Sequence, residues 1–197
     1  MNRLPGEVGQ SLALFKNLPV ISKAQSMPPL VRNLFLGQLA FFGLYSVVSG
    51  PSQMKFKRYF TVSPDSGIQS LATFHLCHTS PWTLALNLGV LGSLGAYQCK
   101  TFGAGSFIRV FGLGCALASV AVASDAMTNP QQVQAGSLGA SAALLSYTCF
   151  RNPAYFGLIR VQPLTLTALA LAYAIYFDDK AVVGGLTAGY AAFFLAL

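Results

Sequence analysis

Charge is scarce in this chain. Asp, Glu, Lys and Arg make up 9% of its 197 residues, and the acids number five. A soluble domain draws about a quarter of its residues from those four types, so too little polar material is present to clothe a water-facing surface of this size. Histidine is nearly absent. His75 and His78 are the only two, and nothing after residue 78 supplies an imidazole. A histidine base contributed from the C-terminal half is therefore excluded. The four cysteines, Cys77, Cys99, Cys115 and Cys149, are dispersed, with no C-x-x-C pair and no histidine spacing suited to zinc. They read as small apolar fillers between helices, with no metal site and no cofactor expected.

Apolar residues take the place of the missing charge. Hydrophobic residues reach 54% of the chain and the mean hydropathy is +0.57, values of an integral membrane protein. The net charge of +7 resembles a nucleic-acid signature, yet Arg3, Lys16, Lys23, Lys55, Lys57, Arg58, Lys100, Arg151 and Arg160 all flank apolar runs. Membrane anchors belong at such positions, so no nucleic-acid partner is expected. Arg109 falls deepest inside an apolar run, a few residues from its start, where its side chain can snorkel to the interface or meet a lipid headgroup or a partner.

A bilayer core takes about 17 to 25 apolar residues. Stretches near that length occur at 30–50, 79–99, 105–124, 133–150, 159–177 and 181–197, which predicts an all-α polytopic protein with six transmembrane helices. Turn and charge signals separate them: Pro51 with the cluster from Lys55 to Arg58, the run from Lys100 to Gly103, Asn129-Pro130, Arg151-Asn152-Pro153 and Asp178-Asp179-Lys180. The last two stretches lie close enough in sequence to form a tight hairpin. The fourth carries Gly139-x-x-x-Ala143 and the sixth Gly185-x-x-x-Gly189. Small residues four apart let helix backbones approach closely, which drives association in lipid, so these two helices are expected to touch.

Two domains follow from this reading: an N-terminal arm over 1–29 and a six-helix membrane domain over 30–197. The arm holds Arg3, Lys16 and Lys23 against Glu7 alone, with an apolar patch over 12–15, and so resembles a mitochondrial targeting sequence. It is expected to be an uncleaved targeting segment, or an arm lying on the membrane or on a partner.

From Lys57-Arg58-Tyr59-Phe60-Thr61 to the C-terminus the chain resembles the rhomboid intramembrane proteases, and within them the mitochondrial presenilin-associated rhomboid-like branch. The resemblance rests on that stretch, on the piece Ala72-Thr73-Phe74-His75-Leu76-Cys77-His78-Thr79-Ser80, and on Gly136-Ser137-Leu138-Gly139-Ala140-Ser141-Ala142-Ala143. It also rests on Ala181-Val182-Val183-Gly184-Gly185-Leu186-Thr187-Ala188-Gly189. The resemblance implies a rhomboid-like fold with a central fourth helix. It places Ser141 on the family's nucleophile, Ala142 on the glycine that follows it, and Asn87 on the oxyanion-side asparagine. Thr83 falls on the second oxyanion histidine and Val182 on the catalytic histidine.

The pattern is degenerate where chemistry needs it most. A serine hydroxyl is a poor nucleophile until a base takes its proton, and Val182 has none to offer. Lys180 is the remaining candidate base, but Asp178 and Asp179 beside it favour its protonated form. The resemblance thus implies a pseudoprotease, not an enzyme. Its expected role is as a structural or accessory subunit of an inner mitochondrial membrane complex such as a respiratory-chain complex or the ATP synthase. Other membrane subunits are its expected partners and lipids such as cardiolipin its only expected bound groups. Two alternatives stand beside it: a serine protease with an unusual base, and a client-binding pseudoprotease of translocation or quality control. The charge distribution predicts both termini in the matrix, since Arg3, Lys16, Lys23, Arg32, Lys100, Arg151 and Arg160 fall on the N-terminal side.

Overall fold

The computed structural model describes residues 26–48, 51–63, 66–128, 135–157 and 162–196, and these fold as helices and connecting turns. Most of the N-terminal arm, residues 1–25, lies outside the described residues.

Helix α1 runs Pro29–Val47, opened by a proline at its first turn. Val31, Phe35 and Gln38 are its buried residues, a stripe at helical spacing that leaves the other faces outward. The short helix α2, Pro51–Phe60, follows. Phe60 packs on Phe41 at 5.0 Å between ring centroids and Phe56 on Tyr45 at 5.9 Å, so α2 docks on the last two turns of α1. A single turn, α3, spans Ser70–Thr73 and passes into a 3-10 turn at Phe74–Leu76.

Helix α4, Pro81–Val90, begins at Ser80, whose side chain accepts from the Trp82 amide at 3.3 Å, with Pro81 at the first helical position. It continues through a π turn at Leu91–Gly95 into α5, Ala96–Thr128. Within α5 the backbone of Gly103 adopts φ 87° and ψ 161°, a conformation that breaks the helix and that glycine tolerates best. The chain folds back there. Gln98 reaches the Ser106 carbonyl at 3.5 Å, and the Phe107 ring lies 3.1 Å from where a Cβ on Gly95 would sit.

The remaining helices are α6, Leu138–Arg151, the single turn α7, Ala154–Gly157, α8, Pro163–Tyr176, and α9, Lys180–Phe194. Helix α6 is the centre of the bundle. Ten of its fourteen residues are buried, and α4, α5, α8 and α9 all pack on it. On α8, by contrast, Leu164, Leu169, Leu171 and Ile175 are exposed.

Two helical segments are long and apolar enough to cross a membrane, Pro29–Val47 and Pro81–Thr128. Gly103 divides the second into two arms, each of spanning length at about 1.5 Å per residue. Helices α6, α8 and α9 fill the last three apolar stretches with only 14, 14 and 15 residues. At roughly 21 to 23 Å they are shorter than a hydrocarbon core of about 30 Å. Their ends are cut by Gly136 at φ 114°, by Asn152-Pro153, by Pro163 and by Asp178 at φ 51°. Apolar length in sequence overestimates helix length where such turns intrude.

The small-residue seam joins α5, α6 and α9. A Cβ added at Gly185 would fall inside the Gly139 carbonyl, and one at Gly189 would strike Ser146 and the Ala143 carbonyl. Gly139 in turn faces the Cβ of Ala118 and the Ala181 carbonyl, while Gly114 faces Ala140 and Ala143. Backbones in this contact are separated by hydrogen atoms alone, and Ser146 Oγ also reaches across to the Leu186 carbonyl at 3.1 Å.

Candidate functional site: a buried polar chain at Ser141

Ser141 lies in the first turn of α6 and is 2% exposed. Its hydroxyl donates to Oδ1 of Asn87, which α4 presents from the facing side of the bundle. The amide of Asn87 then donates through Nδ2 to Oε1 of Gln38 on α1 at 2.6 Å. Gln38 completes the chain by donating through Nε2 to Ser137 Oγ at 2.7 Å, just before α6 begins. All four side chains are buried.

The direction of these bonds decides what the site can do. A base must accept the serine proton, and the oxygen in that position belongs to a neutral amide, which does not take up a proton near neutral pH. An oxyanion hole needs a free donor aimed at the developing charge. One of the two N–H donors of Asn87 Nδ2, the group that the resemblance assigns to that task, is taken by Gln38.

Val182 is the third residue past the N-cap of α9, buried in an apolar cluster with Ala142, Ala174 and Leu186. Its amide donates to Oδ1 of Asp179 at 3.2 Å, which caps the helix. Thr83 donates its hydroxyl to the Ser80 carbonyl at 3.0 Å and lines a cavity of about 280 Å3. Leu138, Gly136, Tyr173, Asp179 and Ala181 also line that cavity, but neither Ser141 nor Asn87 does. The structure thus brings Ser141 and Asn87 together and leaves Thr83 and Val182 apart from them in chemistry. Gly139, Ala143, Gly185 and Gly189 form the seam immediately behind Ser141.

Among the described residues, no other candidate base is hydrogen-bonded to Ser141. Lys180 pairs with Asp178 at the surface. His75 Nε2 meets Ser119 Oγ at 3.0 Å, and because Ser119 donates to the Leu71 and Cys115 carbonyls, the imidazole is the donor in that contact. Both ring nitrogens of His78 are buried without a partner among the described residues. Burial lowers His75 and His78 each to a pKa of about 4, so both are neutral near pH 7. Asp179 shifts the other way: burial raises it, against the lowering effect of the backbone amides it caps.

Gln38 and Ser137 are the members that sequence reasoning missed. A lone amide inside an apolar run was the available signal for Gln38, since a polar side chain at membrane depth needs a partner. No group of three or more metal-ligating side chains occurs among the described residues. A scan against protein-family models and a search of curated proteins find no match to the chain.

Proposed function

We propose that this chain is a non-catalytic, rhomboid-like integral membrane subunit, an accessory component of a larger assembly in the inner mitochondrial membrane. The observation that carries the reading is the bond from the Ser141 hydroxyl to Asn87 Oδ1. It holds the would-be nucleophile in a structural role, and Val182 fills the histidine position of the motif with an apolar side chain. The site has become a polar staple joining α1, α4 and α6. The motifs at Ser141 and over 181–189 support the rhomboid-like part, and the N-terminal arm and the branch resemblance support the mitochondrial part. Exposed apolar side chains along α8 offer a face for lipid or for a neighbouring subunit.

Affinity purification of the tagged chain from mitochondria in mild detergent tests this reading. A fixed set of membrane subunits at constant stoichiometry is the expected result. Substoichiometric, turnover-dependent clients would point instead to a client-binding pseudoprotease and overturn the accessory-subunit role.

A further inference from the structure

We propose that α2, together with Ser63 just past its end, forms a binding site for the headgroup phosphate of an anionic phospholipid. Met54, Lys57 and Arg58 recur at helical spacing on one side of α2, and with Ser63 they line a surface pocket of about 510 Å3. The pocket combines two cations with the apolar side chain of Met54, which is 75% exposed. A phospholipid presents that same pairing, a phosphate beside an acyl chain.

The helix is placed for the task. Phe56 and Phe60 take the inner face of α2 and dock it on Phe41 and Tyr45 at the end of spanning helix α1, which sets α2 at headgroup level. Lys55, Lys57, Arg58 and Tyr59 are left exposed. The cations have no acidic partner among the described residues, and Asp65, outside them, is the only acid in the sequence over 51–78. Beside the pocket, Ser66 Oγ donates to the Thr61 carbonyl at 2.8 Å and accepts from the Ser63 amide at 3.1 Å, which holds the Ser63 backbone in place.

The inference rests on the membrane placement proposed above and is independent of the loss of catalysis. The test uses the purified full chain in neutral detergent, with dioleoylphosphatidylglycerol, dioleoylphosphatidylcholine or inorganic phosphate added separately. Bound lipid is counted by native mass spectrometry. The wild type is expected to retain phosphatidylglycerol about tenfold better than phosphatidylcholine, and the Lys57→Gln/Arg58→Gln variant to retain the two equally. Lys100→Gln, near the end of the first spanning arm, should keep the wild-type preference. Raising NaCl from about 50 to 300 mM should weaken phosphatidylglycerol retention by the wild type, a reading that needs no variant to fold.

Equal retention of both lipids by the wild type, or an unchanged preference in the double variant, overturns the proposal. Retention of inorganic phosphate at the same site, with displacement of the lipid, would assign the pocket to a soluble anion and also overturn it. Release of the native protein from membranes by alkaline carbonate would instead overturn the membrane placement itself.

Discussion

Asn87 and Gln38 are joined by a buried amide-to-amide hydrogen bond of 2.6 Å that spans 49 residues of sequence and ties α4 to α1. The donor in that bond is the group an active rhomboid-type site would aim at an oxyanion. One of its two N–H donors is taken by Gln38, and the chain of bonds links α1, α4 and α6.

Replacing Asn87 by Ala should destabilise the protein by about 2 to 5 kcal/mol. It strands Gln38 Oε1 and removes the acceptor for Ser141, each buried orphan costing about 1 to 3 kcal/mol. The Gln38→Leu/Asn87→Leu double variant removes both amides together and should lose less than the sum of the single changes. Thermal unfolding in detergent, arranged as a double-mutant cycle, checks this.

Gly185→Ala and Gly112→Ala should move in opposite directions. The methyl of the first collides with the Gly139 carbonyl, where neither backbone can withdraw, and should cost about 3 kcal/mol or more. The second enters open space on α5 and should be neutral or stabilising by up to about 1 kcal/mol, the usual gain of Ala over Gly in a helix. Unfolding midpoints of the two variants decide. Equal effects would argue against the seam.

Acid should destabilise the fold between about pH 6.5 and 4. His75 and His78 have folded values of about 4 against 6.5 unfolded, so the unfolded chain binds more protons in that window. Stability is full above 6.5 and falls as pH drops through 4, by on the order of 3 kcal/mol per histidine. Asp179 acts in the opposite sense: its raised value makes the folded state hold its proton longer, so its contribution falls as pH rises. His78→Phe should flatten the acid limb of the unfolding midpoint against pH. An unchanged limb would place the titration elsewhere.

Asp179→Asn should leave stability at pH 7 unchanged or slightly higher. The amide oxygen can still accept from the Val182 amide, while the cost of burying a carboxylate disappears. A loss of more than about 1 kcal/mol would mean the charge itself stabilises the start of α9.

The sequence exposed the helical class, the reversal near Gly103 and the pairing of Gly139 with Gly185, because apolar run length, glycine conformation and small-residue spacing are local signals. Helix length was less legible. The last apolar run reads as 17 residues yet its helix has 15, because it ends at Phe194 although the Asp179 cap starts it one residue before the run. In sequence, helix α2 reads as a charged break, since Phe56 and Phe60 gain meaning only from Phe41 and Tyr45 on another element. Gln38 and Ser137 lie 99 residues apart, and no periodicity pairs residues at that distance. The bond from Ser141 to Asn87 also changes the expectation for Ser141→Ala, which from sequence alone should be silent. The change leaves Asn87 Oδ1 without its donor, so a stability loss of about 1 to 3 kcal/mol is now expected.

Whether Ser141 is chemically inert can be measured directly by exposing the purified full-length protein to a fluorophosphonate probe, which reports only activated serines. The account predicts equal background labelling of wild type and Ser141→Ala, both folded at the assay temperature. Labelling of the wild type that disappears in Ser141→Ala would contradict it and reveal a working base that the arrangement of Asn87, Val182 and Lys180 does not supply.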